Sequence, residues 1–226
     1  MISGETRLVG LVGDPVSASL SPRMQNAAFA ARGLDWVYLP LHVEVARLED
    51  ALDGLVALGF SGANVTTPHK LAVAALVETD SPSVNTLVMR DGRVYGSTTD
   101  AAILDGLEFG RAAVLGNGGS AAAFHEALPE AKRFSRRGTW PPDVSDADLV
   151  VNATSEREQV LAELGPGQTL IDLPYPRTAT ALAADAAGAR VIDGLEVLVA
   201  QGAASFELWT GVPAPLDVMR SAIGFA

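Results

Sequence analysis

Cysteine is absent from the 226 residues. No disulfide, thiolate nucleophile or cysteine-ligated metal is therefore available; a reducing compartment is compatible with that absence without being required by it. Aromatic residues are scarce at 6%, so the 48% hydrophobic content is carried by Ala, Val and Leu, as in many α/β proteins. Positive charge is also in short supply: 16 Lys and Arg face 27 Asp and Glu, a net charge of −11. Such a surface is a poor partner for nucleic acid or an anionic membrane. An anionic small-molecule substrate would need a local cationic or hydrogen-bonding site to overcome that field. No run approaches the roughly 20 apolar residues that span a bilayer, and the opening MISGETRLVGLVG has neither a charged n-region nor a long apolar h-region. The expectation is a cytoplasmic protein. The three histidines, His42, His69 and His125, are scattered without carboxylates at ligand spacing, so no metal site is expected. There is no GxSxG elbow, Walker lysine or tandem repeat.

What is present alternates. Leu8–Val12 is a compact apolar run ending in Gly-Asp-Pro, and Pro22–Arg32 reads as a helix with Ser21 as its N-cap. Trp36–Leu41 is strand-like, Val45–Leu58 has helical apolar spacing, Gly62–Val65 is a short strand, and a helix carries Leu71 to Val77. Thr86–Met89 and Val94–Tyr95 flank Asp91-Gly92 as a hairpin. The second half starts afresh, with strands at Ala112–Leu115, Ala131–Phe134, Leu149–Val151, Thr169–Asp172 and Arg190–Ile192. Helical segments are expected after Gly119 and at about 155–164, 177–187, 195–209 and 214–223; residues 133–147 read as loop. Strand–helix alternation implies parallel sheet with right-handed crossovers, and the boundary between halves falls near 100–111.

Gly116-Asn117-Gly118-Gly119 lies between a strand and an Ala-rich helix. Glycines there allow a tight turn and let backbone N–H groups approach a pyrophosphate, to which the helix N-terminus adds positive partial charge. The spacing GxGG falls short of GxGxxG, so context carries the reading. After the next strand come Ser135-Arg136-Arg137, with no acidic residue before Asp143. An acidic residue at this place holds a ribose 2′-OH, whereas Arg accommodates a 2′-phosphate. That favours NADP over NAD, and a solvated basic loop is the plain alternative.

Several polar residues sit at the ends of apolar elements: Ser19 and Ser21 after the first strand, then Thr66, Lys70, Asn85 and Asp100. Open α/β sheets bind ligands at the carboxyl ends of their strands. Hydroxyls beside a helix N-terminus suit a carboxylate, and a lysine and an aspartate brought together there can share protons with a hydroxyl or carbonyl. Structural roles stand beside these: Lys70 as an exposed first-turn residue after Pro68, Asp100 as a helix cap.

In combination these segments resemble the shikimate dehydrogenase family from end to end. GDPVSASLSP is similar to its substrate-carboxylate loop, GANVTTPHK to NVT-x-P-x-K, SVNTL to AVNTL, GSTTD to G-x-NTD, VLGNGGSA to VLGAGGAA and VVNATS to VVNAT(P/S). DLPYPRTATAL resembles D-x-x-Y-x-P-x-x-T-x-L, and DGLEVLVAQG resembles DG-x-x-MLV-x-QA. The resemblance implies a two-domain α/β fold: a substrate-binding domain over 1–100, completed by helices in 201–226, and a Rossmann-like dinucleotide-binding domain over 101–200. It implies reversible NADP-dependent reduction of 3-dehydroshikimate by a monomer or homodimer, with quinate-type specificity or a non-catalytic binding paralogue as alternatives. Lys70 and Asp100 would be catalytic; Ser19, Ser21, Thr66, Asn85, Tyr175 and Gln201 would bind substrate. Gly116, Asn117, Gly118, Gly119, Ser135, Arg136, Arg137, Asn152, Ala153, Thr154 and Gly194 would bind cofactor. Hinge closure of the two halves is expected.

The chain departs from the family pattern in places. Thr98 stands for the usual Asn, Ala101 for Gly, Arg157 for Gly and Val197 for Met. It is also shorter, mostly between Gly119 and Thr169, with at least one helix of the nucleotide half trimmed. No proton-transfer residue is lost; several of the departures lie around the cofactor.

Overall fold

The computed structural model describes residues 2–225. The chain divides into two compact units, one of Met1–Thr99 with Val199–Ala226, the other of Asp100–Leu198. Among the described residues, no helix is long and apolar enough to cross a membrane.

The first unit is a mixed five-stranded sheet in the order β2-β1-β3-β4-β5. Strand β1 (Arg7–Gly13) runs parallel to β2 (Trp36–His42) and β3 (Gly62–Val65), whereas β4 (Thr86–Arg90) runs antiparallel to both its neighbours, β3 and β5 (Arg93–Ser97). Asp91 and Gly92 both have positive φ, which closes the expected hairpin. Helix α1 (Ser21–Ala31) joins β1 to β2, and α2 (Leu48–Ala57), preceded by a 3-10 turn at Val45–Arg47, joins β2 to β3. Leu48, Leu52 and Leu55 of α2 pack with Val12, Ala63, Val65 and Leu87 on one sheet face. The other face is aromatic. Phe29 of α1 stacks on Phe206 at 5.3 Å between centroids, and Trp209 donates its indole N–H to the Leu87 carbonyl at 2.9 Å. Phe206 and Trp209 belong to α6 (Gly194–Thr210), and α7 (Leu216–Ala222) follows.

Two local expectations shift here. Ser21 is the first residue of α1, with Leu20 at the cap position and no side-chain cap bond; it is Ser19 whose Oγ accepts a backbone N–H, that of Ser21, at 3.2 Å. The helix after Pro68 is only the single turn α3 (Lys70–Ala74), because Glu78 bridges to Tyr95 beside the sheet.

The second unit is an all-parallel sheet in the order β10-β9-β8-β6-β7, a Rossmann-like arrangement. Its strands are β6 (Ala112–Leu115), β7 (Lys132–Phe134), β8 (Leu149–Asn152), β9 (Thr169–Asp172) and β10 (Arg190–Ile192). Side chains alternate between faces. Ala112, Val114, Leu149, Val151 and Ile171 pack with Ala121 and Phe124 of α4 (Gly119–Ala127). Ala113, Leu115, Val150 and Leu170 pack with Ala181 and Ala184 of α5 (Ala179–Ala186).

The helix expected at 155–164 is not formed. Among the described residues, the connections β7–β8 and β8–β9 are both irregular. Val144 and Ala147 from the first, and Leu161, Ala162 and Leu164 from the second, cover the sheet where helices would lie. Side chains replace the missing helical hydrogen bonds. Glu156 Oε1 accepts the N–H groups of Arg157, Glu158 and Gln159 at 3.0, 3.0 and 3.3 Å. Thr180 Oγ1 accepts the Leu161 N–H at 3.0 Å, and Gln168 Nε2 donates to the carbonyls of Val144 and Ala147 at 2.9 and 2.7 Å.

Candidate functional site

In the first unit, strand direction alone gathers the candidate residues. The β1 and β3 strands end at one edge of the sheet; the antiparallel β4 begins there, since Asn64 pairs with Thr86, and β5 ends there, since Thr86 pairs with Ser97. Ser19 and Ser21 follow β1, Thr66 and Lys70 follow β3, Asn85 precedes β4, and Thr99 follows β5. All of these therefore lie at that edge.

The Thr66–Lys70 turn is pinned to its surroundings. The Thr66 N–H donates to Val12 O at 2.9 Å, the Asp14 N–H to Thr67 O at 3.1 Å, and the His69 N–H to Thr66 O at 3.0 Å. The buried His69 ring places Nε2 2.7 Å from Val43 O. Lys70 opens α3, and its carbonyl accepts the Val84 N–H at 3.0 Å. The lysine backbone is thus fixed on both sides of the residue.

Behind this edge is a buried polar network that spacing did not reveal. Tyr38 donates its hydroxyl to Asn64 Oδ1 at 2.8 Å. Asn64 Nδ2 donates to Ser205 Oγ at 2.9 Å, Thr86 Oγ1 at 3.1 Å and Asn85 O at 3.1 Å. Asn85 Oδ1 accepts the Thr99 N–H at 2.7 Å, and Asn85 Nδ2 lies 3.5 Å from Gln201 Oε1. Ser205 Oγ donates to Gln201 O at 3.0 Å. Burial pushes the Tyr38 phenol pKa well up, against a smaller opposing hydrogen bond with Ser21. Asn85 and Gln201 are thereby linked with Tyr38, Asn64, Thr86, Thr99 and Ser205. Asn64 alone carried a sequence signal: an amide inside a strand that is buried throughout needs partners.

Asp100, one residue beyond Thr99, is buried and is the first residue of the second unit. Tyr175 also belongs to that unit, three residues past the end of β9. Lys70 and Asp100 are thus not gathered within one unit, and neither is Tyr175 with the other expected substrate residues.

In the second unit the remaining candidates follow carboxyl ends of parallel strands. Gly116 follows β6 with φ +125°, and a Cβ there would approach Ala153 O at 2.9 Å, so the turn requires glycine. A Cβ on Gly118 would meet nothing within 4 Å, and the α4 N-terminus at Gly118 has no side-chain cap bond. An open glycine turn leading into an uncapped helix fits a pyrophosphate. The order of β7, β6 and β8 puts the switch point of the sheet beside this turn. Asn152, fully buried, donates to Asp172 Oδ1 at 2.7 Å and accepts the Thr154 hydroxyl at 2.8 Å; its side chain organises the Ala153-Thr154 loop from behind. Gly194 is crowded, for a Cβ there would collide with the carbonyl oxygens of Leu173 and Pro174. Ser135 starts a tight turn that accepts the Gly138 N–H at 2.9 Å and contains Arg136 and Arg137. Arg136 is held by Glu156 Oε2 at 3.1 Å and Gln159 Oε1 at 3.0 Å, with its guanidinium 5.9 Å from the Trp140 ring centroid. Sequence reasoning singled out Arg136 but not Glu156, Gln159 or Trp140. Among the described residues, no group of three or more His, Asp or Glu is arranged to hold a metal.

Comparison with known proteins completes the picture. Residues 11–87 match the family described as shikimate dehydrogenase substrate binding domain, and residues 194–223 match the shikimate 5'-dehydrogenase C-terminal domain. A curated protein of an Anaeromyxobacter species, named shikimate dehydrogenase (NADP(+)), is 38% identical, with 99% of this chain and 98% of that protein covered. The alignment spans 272 positions against 226 residues here, so at least 46 aligned positions are missing from this chain. The crystal structure of shikimate dehydrogenase from Aquifex aeolicus superposes with a TM-score of 0.88 at 28% identity, covering 99% of each chain. That of the Thermus thermophilus shikimate 5-dehydrogenase, in complex with NADP(H) and shikimate, gives 0.84 at 29% identity, covering 96% of this chain and 98% of that one.

Proposed function

The chain belongs to the shikimate dehydrogenase family, and on that premise we propose that it interconverts 3-dehydroshikimate and shikimate with NADP(H) as the hydride carrier. The observation that carries this reading is the gathering of Ser19, Ser21, Thr66, Lys70 and Asn85 at one sheet edge, with Gln201 bonded to Asn85 behind it. Residues 1–100 with 201–226 are assigned as the substrate domain and 101–200 as the dinucleotide domain. The protein works in the cytoplasm, as a monomer or homodimer.

The hydroxyls of Ser19 and Ser21 hold the substrate carboxylate beside the start of α1, supplying locally what the net charge of −11 withholds. Thr66, Asn85 and Gln201 are assigned to orienting the ring hydroxyls, and Tyr175 is assigned to substrate binding as well. During reduction Lys70 gives a proton to the carbonyl oxygen as it becomes a hydroxyl, and Asp100 is assigned to the same proton transfer, which runs in reverse on oxidation. When bound, the nicotinamide supplies hydride transfer at the ring carbon, and the chain supplies position and proton. The turn Gly116–Gly119 and the start of α4 hold the pyrophosphate. Ala153, Thr154 and Gly194 shape the nicotinamide side, with Asn152 fixing that loop from within. Ser135, Arg136 and Arg137 hold the adenosine 2′-phosphate.

Mixing the protein with shikimate and NADP⁺ and following the absorbance of reduced nicotinamide tests the reading directly. Turnover with shikimate is expected; no turnover with either nicotinamide cofactor, or a higher kcat/KM for quinate, would overturn it.

A further inference from the structure

Arg136 is the guanidinium at the end of the second strand of the dinucleotide unit, the place where a cation distinguishes a 2′-phosphate from a 2′-hydroxyl. In this chain it is not simply waiting for a ligand. Glu156 Oε2 lies 3.1 Å from its Nη2, Gln159 Oε1 accepts from the same nitrogen at 3.0 Å, and the Trp140 ring lies beside the guanidinium. Glu156 is itself anchored, its other oxygen taking three successive backbone N–H groups. That anchoring exists because the β8–β9 connection has no helix: the carboxylate does the work of an N-terminal cap for residues 157–159. The N–H of Glu158, ahead of the other contacts, holds the Glu156 carboxyl below its ordinary pKa, so it stays charged at neutral pH.

Resting on the NADP reading above, we propose that Glu156 is a specificity-determining residue that weakens discrimination for NADP⁺ over NAD⁺ by competing with the 2′-phosphate for Arg136. Two anions cannot both take the same face of one guanidinium at full strength. A 2′-phosphate arriving at Arg136 must share it with a fixed carboxylate, and the two negative charges repel. NAD⁺, with a hydroxyl in that place, meets neither penalty. The shortened crossover thus carries a functional consequence: the group that stabilises the irregular chain also draws down the cation that reads the cofactor.

Titration calorimetry of the full chain with NADP⁺ and with NAD⁺, without substrate, tests this through binding alone. Glu156→Gln keeps an amide oxygen for the three backbone N–H groups and removes the charge. It is expected to tighten NADP⁺ roughly 2- to 5-fold, the scale of an exposed ion pair, while leaving NAD⁺ nearly unchanged. Arg136→Gln approaches from the other partner and serves if the first variant is unstable; it is expected to weaken NADP⁺ by about 10-fold or more with little effect on NAD⁺. In the double variant the gain from Glu156→Gln shrinks, because there is no guanidinium to release. Equal gains for the two nucleotides, no gain for NADP⁺, or a gain undiminished without Arg136 would each overturn the competition. If the unaltered chain binds neither nucleotide, the dehydrogenase reading itself falls; if it binds NADP⁺ and Glu156→Gln changes nothing, only the competition does.

Discussion

The two sheets of this chain share a strand order, with the second strand at one edge followed by the first, third, fourth and fifth, and yet they finish their active edges differently. In the first unit both parallel crossovers carry a helix, and the polar residues at the edge rest on a buried network of side-chain bonds running from Tyr38 to Ser205. In the second unit two crossovers are irregular, and the edge rests on backbone: a glycine turn, an uncapped helix start and loops fixed from behind by Asn152 and Asp172. The contrast follows from what each edge is assigned to hold. A small ring acid is recognised hydroxyl by hydroxyl, which demands side chains locked to well under an ångström. A dinucleotide is held largely through its pyrophosphate by backbone N–H groups, which survive the loss of crossover helices provided the strand, the turn and the following helix remain. The second unit can therefore do without helices in two of its crossovers.

The contrast breaks most visibly at Lys70. If the first unit supplies the proton chemistry, Lys70→Ala should lower kcat by about 10²- to 10⁴-fold and leave the dissociation constant for shikimate within a few-fold. Steady-state kinetics paired with calorimetry of shikimate binding separates the two. A parallel loss in both would make Lys70 a binding residue only.

Next in size is the buried network. Asn64→Leu strands the Tyr38 hydroxyl and removes a donor from Ser205 and Thr86. A destabilisation of about 2–4 kcal/mol is expected in urea denaturation, together with a raised KM for shikimate, since Asn85 and Gln201 lose their backing. Arg136→Gln in the second unit should cost far less stability, being an exposed pair. Similar losses at both positions would erase the distinction between a side-chain-locked edge and a backbone-built one.

How far the sequence alone reaches differs between the same two regions. Ala112–Leu115, Thr169–Asp172 and Arg190–Ile192 are strands as their short apolar runs imply, and the Asp91-Gly92 turn is where its residues require it. Local chemistry suffices there. It fails at 155–164, whose Val160, Leu161 and Leu164 have helical spacing; Thr180 takes the Leu161 N–H and Glu156 takes those of 157–159, so bonds from side chains replace the helical ladder. It fails again at the Ser21 cap, where Ser19 performs the bond expected of its neighbour. Lys70, Asn85 and Asp100 stand out because polar residues at strand ends invite the question. Thr86, Thr99 and Ser205 do not: the Asn64–Ser205 bond joins residues 141 positions apart, and a serine inside an apolar helix announces nothing by itself.

The smallest expected effect sharpens the comparison on the second unit's better-covered face. His125 sits in the last turn of α4 with its Nδ1 buried and without a hydrogen-bond partner among the described residues. Burial first, and the charge of Arg133 second, hold its pKa below the ordinary value. The unfolded chain, free of both, binds the proton more readily. Stability contributed by the neutral ring is therefore complete above an unfolded pKa of about 6.5 and is lost as pH falls through that value toward the lower folded one. Thermal melts of the unaltered chain and of His125→Gln across this range should show the variant losing less on acidification, the two curves running parallel above neutrality. Because carboxylates titrate in both proteins, the difference between the curves isolates the histidine. Coincident slopes would mean that the α4 face admits enough water to solvate a charged ring, and that this face is no more tightly closed than the one covered by irregular chain.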